Sequence, residues 1–166
     1  MSFYIIIRGP LGCGKSTISK ELANILNAKY VSIDKIVDDT KLIPREKEEG
    51  YISQKSFIKA NEIAVERVKD SLKRGEGVIF DGNFYWKSQI EDLISRLSFP
   101  HYVFTLKAPL EVCIERDKGR KELIGKDAAR VVYKKVSEFD YGTVIDVNKS
   151  LEDSLKEIRG YLKRVK

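Results

Sequence analysis

Cysteine is scarce in this sequence: only Cys13 and Cys113 occur among 166 residues. Neither has a Cys-x-x-Cys partner or a metal-ligand spacing, which argues against a disulfide framework or a zinc site and leaves two free thiols of a reducing cytoplasm as the expectation. Long hydrophobic runs are missing too. The N-terminal stretch Phe3-Tyr4-Ile5-Ile6-Ile7 is too short for a signal-peptide core or a membrane span, and Arg8-Gly9 ends it. A cytoplasmic protein without a membrane segment is therefore expected. No proline- or serine-rich linker, low-complexity tract or internal repeat divides the chain, so one domain over residues 1–166 is the expectation. Charge of one sign does not dominate either. The 31 Lys and Arg exceed the 25 Asp and Glu by enough to give a formal net charge of +6, which suits anionic ligands without by itself marking a nucleic-acid binder.

What is present is an alternation of strands and helices. Residues 3–8 are β-branched and aromatic and are bounded by Gly9-Pro10, the pattern of a fully buried strand. Residues 15–26 place Ile18, Leu22, Ile25 and Leu26 on one helical face. A second strand is expected at Tyr30-Val31-Ser32-Ile33, ending at Asp34. Residues 35–50, polar and broken by Pro44, predict a short helix and a mobile loop. A long helix follows from about Ser53 to Lys73, closed by Gly75 and Gly77. Strands are expected at 77–81, 101–106 and 143–147. Helices are expected at 87–97, from Pro109, at 127–139 and at 150–164, the last with Ser150 as N-cap. Apolar strands that lack polar alternation imply a parallel sheet covered on both faces, and right-handed crossovers make this a three-layer α/β/α sandwich.

The string Gly9-Pro10-Leu11-Gly12-Cys13-Gly14-Lys15-Ser16-Thr17 fits G-x-x-x-x-G-K-[ST] in full, between a predicted strand and a predicted helix. Its glycines let the backbone curl so that successive N–H groups point at phosphates. The helix N-terminus adds partial positive charge. Lys15 supplies a point charge for the terminal phosphates, and the Ser16 hydroxyl is a ligand for Mg²⁺. The expected ligands are ATP and Mg²⁺, with Gly9, Leu11, Gly12, Cys13, Gly14, Lys15, Ser16 and Thr17 forming the nucleotide site.

This loop, close to the N-terminus of a short chain, resembles that of the P-loop small-molecule and nucleoside-monophosphate kinases. The resemblance implies a five-stranded parallel sheet in the order 2-3-1-4-5 and a short lid at about residues 116–127. Asp34, after strand two, stands where kinases of the gluconate, shikimate, adenylylsulfate and polynucleotide group carry an acid that orients the acceptor hydroxyl and takes its proton; an N-cap for the segment starting at Lys35 is the alternative. Asp81, ending Val78-Ile79-Phe80-Asp81-Gly82-Asn83, resembles an acid that holds Mg²⁺ through water; an Asx-turn is its alternative. The segment from Leu106 to Arg120 resembles the exit from strand four and the lid, with Arg116 and Arg120 as guanidinium groups for phosphate or adenine. Asp146, Val147 and Asn148 would lie near the adenine.

Departures from the family patterns leave the acceptor unassigned. Shikimate kinases carry Gly-Gly-Gly after strand three, where this chain has only Gly82. The early arginines Arg8, Arg45 and Arg67 match no monophosphate-kinase acceptor site. The favoured expectation is a phosphotransferase acting on a small-molecule hydroxyl. A nucleotide or nucleic-acid 5′-end kinase is the alternative, supported by base stacking on Phe84, Tyr85 and Trp86, and an acceptor-less ATPase module is the third. An N-K-x-D segment for guanine is not found, since Asn148-Lys149-Ser150-Leu151 lacks the acid. Tyr85 and Trp86 read equally well as pocket lining or as core.

Overall fold

β1 (Phe3–Arg8) is buried along nearly its whole length, and Tyr4 to Ile7 have no exposed surface. A continuous apolar run behaves this way when it is paired on both edges and covered on both faces. In the computed structural model, which describes residues 1–118 and 126–163, β1 lies parallel between β5 (Gly77–Gly82) and β6 (His101–Lys107). β2 (Lys29–Ser32) pairs with β5, and β7 (Thr143–Asp146) with β6. The sheet thus runs β2-β5-β1-β6-β7. Counting its own strands only, that is the expected 2-3-1-4-5. Two strands outside this sheet, β3 (Lys47–Glu48) and β4 (Tyr51–Ile52) of a hairpin, shift the later numbers.

Side chains leave a strand alternately up and down, so β1 feeds two cores. Tyr4 and Ile6 join Phe57, Phe80, Leu93 and Trp86 beneath α3 (Gln54–Lys73) and α4 (Lys87–Arg96). Ile5 and Ile7 join Leu22, Ile79, Phe104 and Ile158 beneath α1 (Lys15–Leu26) and α7 (Leu151–Lys163). Each fully buried aliphatic or aromatic side chain contributes about 1.5–3 kcal/mol. The register sets Ile7 and Ser32 on either side of Asp81, which brings the C-terminal ends of three strands to one level. α5 (Leu110–Lys118) and α6 (Lys126–Val136) complete the described elements. Among the described residues no helix is long and apolar enough to cross a membrane.

Three local expectations are corrected. The second strand stops at Ser32 rather than Asp34, because the Ser32 hydroxyl accepts the Lys35 N–H and caps α2 (Ile33–Asp38), whose Ile33, Ile36 and Val37 are buried. The N-cap weighed as the alternative role of Asp34 belongs to Ser32. The segment expected as a mobile loop contains the β3–β4 hairpin, turned by Glu49 (φ 52°) and Gly50 (φ 82°), the left-handed pair that a two-residue hairpin turn requires. That hairpin is docked: the Trp86 indole donates to the Ile52 carbonyl at 2.8 Å, and the Ile52 N–H donates to the Tyr85 hydroxyl at 3.1 Å. Tyr85 and Trp86 are therefore core residues, 4% and 9% exposed. Finally, α6 ends at Val136 rather than 139, since the Val136 and Phe139 carbonyls accept hydrogen bonds from Arg8.

Candidate active site

Residues 9–14 join β1 to α1, and the curl is enforced by contact. Gly12 has φ 79° and is pressed against α5, where an added Cβ would stand 2.1 Å from the Cys113 carbonyl oxygen. Neither atom belongs to a flexible side chain, so the backbone would have to move. Gly12→Ala is expected to destabilise the fold by about 3 kcal/mol, read as a shift of the denaturant midpoint, with loss of nucleotide binding even where the chain remains folded.

α1 starts bare. Gly14 holds its N-cap position without a side-chain hydrogen bond, and the first turn has no acid. The free amides and the helix dipole thus meet where the helix itself carries no acid to neutralise them. Lys15 opens the helix at 6% exposure, without an ion pair to any described residue. A buried ammonium without an ion pair is costly unless an anion is supplied, so the position suits a polyphosphate. The Cys13 thiol inside this loop is buried and its pKa is pushed up, chiefly by loss of solvent, so it stays a neutral packing group.

At the next residue, Ser16 donates to Asp81 Oδ2 at 3.1 Å, and the Tyr30 hydroxyl donates to the same oxygen at 2.6 Å. Asp81 is 2% exposed, yet its Oδ1 has no hydrogen-bond partner. A buried carboxylate oxygen left over beside a serine hydroxyl with uncommitted lone pairs fits magnesium. No group of three or more His, Cys, Asp or Glu that could hold a metal occurs among the described residues. Mg²⁺ takes one or two protein oxygens and completes its shell with phosphate and water. The Asx-turn alternative does not describe these contacts.

Asp34 sits in the first turn of α2, partly buried, and its two carboxylate oxygens accept the Asn83 N–H at 3.0 and 3.3 Å. Burial raises its pKa to about 7; the positive charge of Lys15 opposes that rise, Asp81 adds to it, and the Asn83 N–H opposes it again. A carboxyl group tuned near neutrality is matched to accepting a hydroxyl proton. Asn83 itself is 9% exposed with an unpartnered Oδ1.

Arg116, at the end of α5, spans two backbones. It donates to the Cys13 carbonyl at 3.1 Å and to the Val147 carbonyl at 2.8 Å, rather than pairing with Glu115 or Asp117. This ties the phosphate loop to the segment after β7, and the same residues wall a cavity of about 220 Å³ together with Gly14, Thr17, Lys149 and Ser154. Arg120 and most of the lid expected at about 116–127 lie outside the described residues.

Two polar residues that sequence reasoning passed over belong to this frame. Tyr30 reads from the sequence as a strand residue, and its hydroxyl carries no local signal. Arg8 ends β1, as the sequence implies. It is also fully buried and donates to the Phe84, Phe139 and Val136 carbonyls and to Thr105 Oγ1, all at 3.1–3.2 Å, with its guanidinium 4.3 Å from the Phe139 ring centre. Burial lowers its pKa to about 10, partly offset by Asp140, and it remains charged at neutral pH. The strained Phe84 (φ 46°), next to Asn83, is one of the groups it holds.

Comparison with known proteins gives a consistent set of relatives. The family model described as an AAA domain matches residues 5–139. The shikimate kinase of Francisella tularensis subsp. novicida (strain U112) is 30% identical over 154 residues, covering 86% of this chain and 82% of that protein. The shikimate kinase of Francisella philomiragia subsp. philomiragia is 31% identical over the same shares. Among solved structures, a gluconokinase from Sinorhizobium meliloti 1021 superposes with a TM-score of 0.75 at 17% identity, covering 98% of this chain and 92% of that one. A sugar kinase from Janibacter sp. HTCC2649 reaches 0.80 at 14% identity, covering 98% and 95%. At such identities the structural matches speak to the fold.

Proposed function

This chain belongs to the AAA-domain family and, with it, to the P-loop small-molecule kinases, and from that premise we propose that it moves the γ-phosphoryl group of ATP onto a hydroxyl of a polyhydroxylated small molecule. The observation that carries the reading is the double engagement of the β5 end. Asp81 is tied to Ser16 of the phosphate loop, and Asn83, two residues on, is tied to Asp34. A metal-holding acid and a candidate base are thus held at fixed spacing on one strand end, where ligands bind in sheets of this kind.

In the proposed reaction the loop amides and Lys15 hold the β- and γ-phosphates. Ser16 and, through water, Asp81 would hold magnesium, which would supply positive charge against the phosphates. The acceptor oxygen forms a bond to the γ-phosphorus as the bond to the β-phosphate bridging oxygen breaks. ADP leaves, and Asp34 accepts the hydroxyl proton. Arg116 secures the wall on which the base of the nucleotide rests, and Arg120 is assigned to the phosphates. The relatives named for shikimate, gluconate and sugars support a hydroxylated, sugar-like acceptor. The alternative of a nucleic-acid 5′ end loses its support from Tyr85 and Trp86, whose rings are consumed in the core.

A phosphoryl-acceptor screen with γ-labelled ATP tests this. Sugars, sugar acids and cyclic hydroxy acids form one arm, nucleosides and monophosphates a second, and RNA 5′-hydroxyl ends a third. Transfer confined to the first arm is the expected result. Transfer confined to either of the others, or turnover indifferent to every acceptor, refutes the reading.

A further inference from the structure

We infer that Tyr30 is a positioning residue for the metal site, locking the carboxylate of Asp81 so that one oxygen orients Ser16 and the other is left for the magnesium shell. The inference rests on the phosphotransferase reading only as far as a metal–nucleotide complex; it needs no particular acceptor.

The asymmetry of Asp81 is the starting point. Oδ2 accepts two hydroxyl donors, Ser16 at 3.1 Å and Tyr30 at 2.6 Å, while Oδ1, equally buried, accepts none. A carboxylate alone is symmetric, and rotating it about its last bond exchanges the oxygens. Here that rotation breaks both bonds. The shorter of the two is in the range of a charge-assisted O–H···O⁻ bond, roughly twice as strong as a neutral one. Tyr30 therefore fixes the orientation more firmly than Ser16 does.

What this does for Ser16 follows from hydroxyl chemistry. A serine that ligates a cation offers a lone pair and must place its proton elsewhere. Oδ2 receives that proton, so the lone pairs of Ser16 are free for the metal before any metal arrives. Without Tyr30, Asp81 is free to turn, and some of that preparation is lost.

The ring does not need the hydroxyl for packing. Tyr30 lies against the apolar cluster around Ile5, Ile79 and Leu22, where phenylalanine serves as well. Its oxygen instead reaches an acid 51 residues away in sequence. Two residues on, Ser32 caps the helix that bears Asp34. One phenol thus joins the strand leading into that helix to the acid of the metal site.

The test is Mn²⁺ binding to the full-length protein saturated with ADP, followed by electron paramagnetic resonance, in the wild type and in Tyr30→Phe. The expected result is an approximately tenfold weaker Mn²⁺ affinity, with metal-free ADP affinity and melting temperature close to wild type. In an Asp81→Asn background the same substitution should add nothing, because Tyr30 acts through that carboxylate. An unchanged Mn²⁺ affinity in Tyr30→Phe overturns the inference. So does a loss of equal size in the Asp81→Asn background. A failed acceptor screen leaves this measurement standing, so the two readings fail separately.

Discussion

Lys15→Met lowers phosphoryl transfer by about a thousandfold, the scale expected when one preorganised charge is removed from a developing phosphoryl group. The loss falls on kcat and on ATP affinity together, since the ammonium meets both the bound phosphates and the transition state. The variant still folds. Methionine fills a similar volume, and it removes a cation that is 6% exposed without an ion pair to any described residue; the ligand-free melting temperature should hold or rise. A second consequence is electrostatic. Lys15 is the main charge restraining the pKa of Asp34, so the carboxyl group should titrate higher still, a shift visible by carboxyl-labelled NMR. Coupled-assay turnover and calorimetry check the first effect, and wild-type rates in Lys15→Met would remove the basis of the whole assignment.

Asp34→Asn should abolish most transfer and stabilise the protein at the same time. Loss of a general base costs about 10²–10⁴-fold in kcat, with ATP affinity nearly unchanged. The gain in stability follows from the raised pKa. The folded protein keeps its proton on Asp34 up to about pH 7, whereas the unfolded chain releases it near the ordinary value of about 4. Between those values the native state binds more protons, so Asp34 makes stability fall as pH rises through that window. Asparagine cannot ionise and can still accept the Asn83 N–H. Its advantage should grow from pH 4 to pH 7 and level off above, reaching on the order of 4 kcal/mol. Thermal melts at pH 5 and pH 8 read this directly, a smaller gain at pH 8 being the contrary outcome. In the wild type, kcat/KM should rise with pH below about 7 and flatten above it.

Long, strongly patterned segments were legible from the sequence. The apolar run of β1 and the 20-residue α3, with Ser53 accepting the Ser56 N–H at its start, announced themselves through period and cap. The strand order was not in the periodicity; it came with the resemblance carried by the phosphate loop. Short elements were hidden. A short helix was expected within residues 35–50, but the six residues of α2 are too few for a period to place its start at Ile33, and the two-residue strands of the hairpin cannot display alternation. The turn residue Gly50 was the one usable signal there. Within the candidate site, the loop residues could be named because their chemistry is local. Tyr30 and Arg8 could not, because their hydrogen bonds reach 51 to 131 residues along the chain, and sequence neighbours say nothing about such partners.

Arg8 is made early and satisfied late. Two of its acceptors, the Val136 and Phe139 carbonyls, are 128 and 131 residues downstream. At a translation rate of about 5–20 residues per second, the guanidinium waits roughly ten seconds for them. Until then the middle strand of the sheet ends in a charge that cannot be sealed from water. A nascent chain halted before residue 136 would hold that strand ajar, which gives a ribosome-bound intermediate a built-in reason to stay open until nearly the last strand has emerged.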